Sequence, residues 1–459
     1  MKYIFSFLVA GLMILAQLAY IQTHPAPALA ATSEPQLWAV MVGVTEYRCQ
    51  DCIYDQEWNK YPVGIKFPDD DALDLAAQLS PIAGDEHIKL VLNEQATNSG
   101  IYYGVKWLAE NSGPKDTAVF YFSGHSAPHY FGSYDYLVSD QQMGEWLDAV
   151  HAQQVVVILD TCFAGSFVQE LGRNSRVVLM SCQQMESSLE DREFKNGVFT
   201  NYVLQALSSF SSSYTDGNYE LSAEEIFDYA SPKTVAEVVA PFTNLPAFSS
   251  GYVQHPQLYL PPDRFDEFNL FMKVTANSDM TPDSKSTALT VDGKSYIASQ
   301  LPVSSVWLSG TSHNLDAPVQ VNIDDGTRFI FASWSDGDIS PSKIVLRGGE
   351  YTAHYKTQHK LTVESPYGTP QGGGWYDAGS NASFSVEPLC GNIIRHTFTG
   401  WSAQANGQEA AATVIMDKDK TVTANWQNDY IRLYLVILAI TVFGGGIAAA
   451  VIIRRRNTL

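Results

Sequence analysis

Two short apolar runs, Thr117–Phe122 and Val155–Leu159, each break off in a turn that carries one reactive side chain. These are His125 in Ser-Gly-His-Ser and Cys162 in Asp-Thr-Cys-Phe-Ala-Gly-Ser. Both runs are continuous, rich in β-branched and aromatic residues, and bounded by small or polar ones, the pattern of strands buried on both faces of a parallel sheet. Catalytic groups of open α/β sheets collect at the carboxyl ends of strands. With Ser139–His151 as a crossover helix between neighbouring strands, both side chains emerge on one rim as a cysteine–histidine dyad.

The thiolate is the nucleophilic form of Cys, and with an ordinary pKa near ~8.5 it is a minor species at neutral pH. An adjacent imidazole can take the thiol proton and later give it to a leaving amine. Taken singly, a Cys is more often a small buried hydrophobe and a His a satisfied loop residue. Here both follow a buried strand, in Gly-containing turns with polar flanks, and that pairing outweighs the bland reading.

Strand-like runs at Leu37–Val44, His87–Leu92, Ala118–Phe122, Val155–Leu159, Val177–Ser181 and Gln257–Leu260 alternate with helix-like stretches. The helices are expected at Asp70–Leu79, Thr97–Ser112, Asp140–His151, Val198–Phe210 and Ser222–Tyr229, with Asp69 or Asp70 capping the first and Thr97 the second. This alternation marks an α/β domain over 36–262, a mostly parallel six-stranded sheet sandwiched by helices. After Pro261-Pro262 the pattern turns to short strands and Gly, Asp, Asn and Ser turns. Leu289-Thr-Val291, Phe331-x-x-Trp334-Ser335 and Tyr351–Tyr355 recur as Leu361-Thr-Val363, Phe398-x-x-Trp401-Ser402 and Val422–Trp426. Two all-β repeat modules, 263–356 and 357–428, are therefore expected. Their alternating aromatics suit the core of a half-buried sheet better than a glycan-binding face.

Lys2, the apolar run Ile4–Leu18 and Ala28-Leu29-Ala30 read as a signal peptide over 1–30. Leu433–Ile453 has no charge and is followed by Arg454, Arg455 and Arg456. That reads as one transmembrane helix, 433–453, with 454–459 as a cytoplasmic tail and everything before it extracytoplasmic. The net charge of −21 and the lack of a basic block before 454 argue against nucleic acid as a partner. Five cysteines are an odd number for an exported chain; Cys49 and Cys52 fit a local disulfide, and with no second CxxC they are a weak zinc signal. Asn381-Ala-Ser383 fits an N-glycosylation acceptor.

In Trp38–Tyr47, Pro68–Leu79, Gln95–Thr97, Tyr121–His125, Asp160–Ser166, Arg176–Ser181 and Gly197–Thr200, taken in this order, the chain resembles the caspase-like (clan CD) cysteine peptidases. The nearest type is the prokaryotic metacaspase and caspase homologue. The resemblance implies a caspase-like fold, His125 as general acid/base and Cys162 as nucleophile, with the backbone N–H groups of Ser126 and Cys162 as oxyanion hole. Ser126 stands where the family usually has Gly, and Phe163-Ala164 where His-Ser is commoner. Asp160, Asp71 and Ser123 match the primary-pocket residues of metacaspases, which cut after Arg or Lys; members that cut after Asp usually carry Gln at the position of Asp160. Asp140 matches one acid of a metacaspase calcium site, the sole cofactor the resemblance suggests. The second repeat resembles surface β repeats of bacteria and archaea.

The resulting expectation is a membrane-held cell-surface cysteine endopeptidase acting on protein or peptide substrates, with a glycan or surface partner for the repeats. The rivals are an inactive caspase-like surface interaction protein and a transpeptidase, in which an amine rather than water resolves the acyl-enzyme. Arg192 and Lys195, in the short stretch between Ser181 and Val198, are candidate self-cleavage points.

Overall fold

The structure, a computed structural model, describes residues 34–48, 65–210, 215–239, 253–262, 268–281, 285–405 and 407–456. The expected signal peptide and the Cys49–Cys52 pair lie outside the described residues. The chain divides into two compact units, one holding most residues up to Val274 and the other most residues from Thr275 onward.

The first unit is built on a six-stranded sheet of β1 (Leu37–Gly43), β2 (Ile88–Leu92), β3 (Thr117–Ser123), β4 (Gln154–Asp160), β5 (Val177–Met180) and β6 (Gln257–Tyr259). Their spatial order is β6-β5-β4-β3-β1-β2. All neighbours run parallel except β6, which is antiparallel to β5. The five longer helices among the described residues of this unit are α1 (Pro68–Ala83), α2 (Asn98–Asn111), α3 (Asp140–Leu147), α4 (Val198–Ser209) and α5 (Ala223–Val239).

Side chains of a strand alternate between the two faces, so each strand feeds two cores. Met41, Tyr121, Ile158 and Leu179 pack with Leu75 and Leu79 of α1, Phe199 and Val203 of α4 and Ile226 of α5. Val40, Val42, Phe120, Phe122, Val157 and Leu159 pack on the other face with Ile101 and Val105 of α2 and Met143 and Leu147 of α3. Burying each such side chain stabilises by roughly 1.5–3 kcal/mol. Coverage on both faces explains why these strands read as unbroken apolar runs.

The first helix begins earlier than expected. Phe67 is its N-cap and Pro68 its first residue, where the missing N–H of proline costs nothing. Asp69, Asp70 and Asp71 thus fall inside the first turn, the end of a helix that favours carboxylates. Thr97 caps α2, its side chain accepting from the Gly100 N–H.

The second unit is mostly strands. Phe331 pairs with Tyr355 and Trp334 with Ala353, with a bulge between. Phe398 pairs with Trp426 and Trp401 with Ala424, again with a bulge between. Trp334 and Trp401 are buried, and their indole N–H groups donate to the carbonyls of Ser340 and Glu409. The two repeats thus share one local geometry, with these indoles in the core. The expected boundary at 356/357 lies inside a single strand, Gly349–Glu364, which ends one repeat and starts the next.

Residues Ile431–Arg456 form a helix of 26 residues whose side chains at Leu435, Ile440 and Phe443 are exposed. Among the described residues no helix is long and apolar enough to cross a membrane. The transmembrane segment expected over 433–453 is thus corrected to an exposed apolar helix.

Candidate active site

The carboxyl ends of β3 and β4 set the site. Their register makes Ser123 the Cα partner of Asp160, so the turns that leave these strands start side by side, and His125 and Cys162 each come two residues later. Hydrogen bonds join the turns: the Thr161 hydroxyl donates to the Gly124 carbonyl at 2.6 Å and the Ser126 hydroxyl to the Cys162 carbonyl. Ser126 lies in the short strand Ser126–Ala127, in extended backbone that needs no glycine. Its side chain ties the histidine turn to the cysteine turn, a function glycine could not serve.

His125 is fixed from the other side by Tyr47, whose hydroxyl accepts the His125 backbone N–H at 2.7 Å and whose ring lies 5.2 Å from the imidazole. Burial lowers the His125 pKa to about 4. Burial also pushes the Cys162 thiol up, opposed by the Ser188 carbonyl contact, which lies 3.9 Å from Sγ. At neutral pH the resting groups are therefore a thiol and an uncharged imidazole. Phe163, next to the nucleophile, holds φ +56° and ψ 22°. A bulky residue in this left-handed region costs roughly 1–2 kcal/mol. Its N–H donates to the Glu186 carbonyl at 2.7 Å, which keeps it there.

Beside the dyad lie two buried carboxylates, Asp71 and Asp160, 1% and 5% exposed. Asp71 accepts from the Ser123 hydroxyl and the Gly197 N–H, both at 2.8 Å. Asp160 accepts from the Thr200 N–H at 2.9 Å, the Thr200 hydroxyl at 2.7 Å and the Ser188 hydroxyl at 2.5 Å. Burial raises the pKa of both, and the charge of Asp160 raises that of Asp71 further. All these partners are neutral, and among the described residues neither acid joins an ion pair. Gly197 sits so close that a Cβ there would fall 2.2 Å from Asp160 Oδ2. A third acid, Glu190, accepts from the backbone N–H groups of Lys66 and Phe67.

The structure thus brings Ser123, Asp71 and Asp160 into one hydrogen-bonded cluster and sets His125, Ser126 and Cys162 on adjoining turns. Sequence reasoning missed Ser188, Gly197, Thr200, Glu190 and Tyr47 as members. Gly197 and Thr200 stood within a matched motif and Tyr47 within another, whereas Ser188 and Glu190 had no signal. Asp140, which matches one acid of a metacaspase calcium site, meets His129 Nδ1 at 2.6 Å, and among the described residues no group of three or more His, Cys, Asp or Glu could hold a metal ion. Cys182 is buried, and burial pushes its pKa up to about 12.

Residues 90–235 match the model of the Peptidase C13 family. The matched range holds His125, Ser126, Asp160 and Cys162, and the match supports a clan CD cysteine peptidase in the general sense. No curated protein matches the chain. The solved structure of protein GSU0716 from Geobacter sulfurreducens is similar at 14% identity and a TM-score of 0.34, over 50% of this chain and 94% of that one, a likeness too low to carry an argument.

Proposed function

We propose that the chain is a cysteine endopeptidase of metacaspase type that cuts after Arg or Lys. In this reading the Cys162 thiol gives its proton to His125 as Sγ attacks the scissile carbonyl carbon. The oxyanion is met by the backbone N–H groups of Ser126 and Cys162. Collapse breaks the C–N bond, His125 protonates the leaving amine, and water then cleaves the thioester with His125 as base.

The observation that carries the specificity is the acid pair Asp71 and Asp160, buried among neutral donors beside the nucleophile turn. Two such carboxylates are costly unless a cation meets them, and a guanidinium or ammonium entering from a substrate would do so. Ser123 then holds Asp71 in place. The test is a set of fluorogenic peptides that differ only in the residue before the cut bond. Removing one partner of a buried charge pair typically costs about 2–5 kcal/mol, a roughly 30- to 5,000-fold loss. Asp160→Ala should therefore abolish most turnover of Arg and Lys peptides while Cys162 still reacts with a small neutral alkylating agent. Preference of the wild type for Asp or Asn overturns the pocket assignment, and failure of a peptidyl electrophile to label Cys162 favours the inactive surface protein.

The proposed location is the extracytoplasmic side of a membrane. It rests on the sequence signal at 1–30 and on the exposed apolar side chains of Ile431–Arg456, which suit a lipid surface.

A further inference from the structure

Gln254 belongs to none of the sequence motifs, yet it is 1% exposed and reaches into the site. Its Oε1 accepts from the Leu189 N–H at 3.0 Å, which fixes the orientation of the amide. The Nε2 group then faces the other way and donates to the Ser181 carbonyl at 3.0 Å and to the Ser188 hydroxyl at 3.1 Å. The next residue clamps it there: the His255 backbone N–H and Nδ1 both meet the Glu186 carboxylate at 2.7 Å.

We propose that Gln254 is a specificity-determining positioning residue, which turns the Ser188 hydroxyl toward Asp160 and so fixes the pocket acid as a hydrogen-bond acceptor. The proposal deepens the reading of Asp160 as the primary-pocket acid and rests on it. A hydroxyl has one proton to give. With a Ser188 lone pair occupied by the Gln254 amide, that proton goes to Asp160 Oδ1, 2.5 Å away. Oδ2 receives two more donors from Thr200, whose hydroxyl is 2.7 Å from that of Tyr121 and accepts from it. These three donated hydrogens stabilise the Asp160 anion and so oppose the burial that raises its pKa. Asp71 also receives donors, among them Ser123 and Gly197, but the charge of Asp160 raises its pKa further, so the negative charge falls first on Asp160. Ser188 also touches the nucleophile through its carbonyl, so one relay serves both the pocket and the thiol.

The experiment uses the full chain as wild type, Gln254→Met, Ser188→Ala and the double variant. Each is measured on a peptide with Arg before the cut bond and on the same peptide with citrulline, its neutral isostere. Gln254→Met should lower kcat/KM for the Arg peptide relative to citrulline by roughly 10- to 100-fold, the scale of losing a hydrogen bond to a charged group, chiefly through KM. In the Ser188→Ala background the same change should add nothing, because the two residues act as one unit. Equal losses on both peptides, or a full loss persisting without the Ser188 hydroxyl, overturn the proposal. A wild type indifferent to Arg over citrulline overturns the pocket reading instead. In that event the pH profile of Cys162 alkylation still judges Gln254: a weakened Asp160 anion repels the thiolate less, so the profile must move to lower pH in Gln254→Met, and an unmoved profile sinks the proposal. If Gln254→Met fails to fold, Gln254→Glu, of the same size but without the amide donor, must show the same loss of Arg selectivity.

Discussion

Ser123 and Asp160 face each other as Cα partners in adjacent parallel strands. Because both strands end there, one pairing does two things: it brings the His125 and Cys162 turns together and sets Ser123, which holds Asp71, beside the Asp160 backbone. Nucleophile, base and pocket therefore share a single rigid origin in the register of β3 and β4, and a slip of one residue would turn Asp160 to the opposite face.

The buried acid pair should weaken the fold as the pH rises. Burial raises both pKa values, and Asp160 raises that of Asp71 further. The folded chain therefore holds these protons more tightly than the unfolded one. Their stabilising contribution is complete below the ordinary carboxylate pKa and is lost as the pH rises through the folded values. Asp71→Asn should accordingly raise Tm at pH 8, with about 2–4 °C for each kcal/mol relieved in a domain of this size. The gap should close near the ordinary value of about 4. A thermal-melt series with the same gap at pH 4 and pH 8 would contradict this.

The resting site should contain no thiolate–imidazolium pair. With Cys162 raised and His125 lowered to about 4, in both cases by burial, iodoacetamide should react about tenfold faster for each pH unit between 7 and 9, as the thiolate fraction grows. His125→Ala should change that rate little while slowing peptide turnover by roughly 10²- to 10⁴-fold. A flat alkylation rate from pH 5 to 8 would reveal a preformed ion pair and refute the account.

Gly197→Ala should damage the pocket without touching the dyad. The added Cβ would lie 2.2 Å from Asp160 Oδ2 and 2.8 Å from its Cγ, so the carboxylate must move. Overpacking of this kind costs about 1–3 kcal/mol. Turnover of Arg peptides should fall while alkylation of Cys162 persists. Unchanged stability together with unchanged peptide kinetics would show that the site yields more easily than the geometry implies.

The sheet was legible because burial on both faces leaves an apolar signature: each expected strand lies within two residues of an observed one at either end. Asp71, Ser123 and Asp160 were visible only through their match to the pocket residues of the family the chain resembles. The polar half of the site was not. Ser188, Gly197 and Thr200 reach Asp160 from a loop and a helix start 28 to 40 residues further along, and Gln254 reaches Ser188 from still further; polar loop residues such as Ser188 and Gln254 have no period to betray them. The first-helix cap was misread for a local reason, since three consecutive acids suggested a cap where Pro68 had already started the helix.

The strand Gly349–Glu364 belongs to both repeats of the second unit. Its Tyr355 end pairs with Phe331 and its Leu361 end with Lys420 of the strand Lys420–Asp429. Beads on a string can be paid out one at a time when a chain is stretched, because the string between them carries no structure. These two repeats have no string: tension on one is passed along a common backbone ladder to the other, so the pair should resist and yield as a single mechanical element.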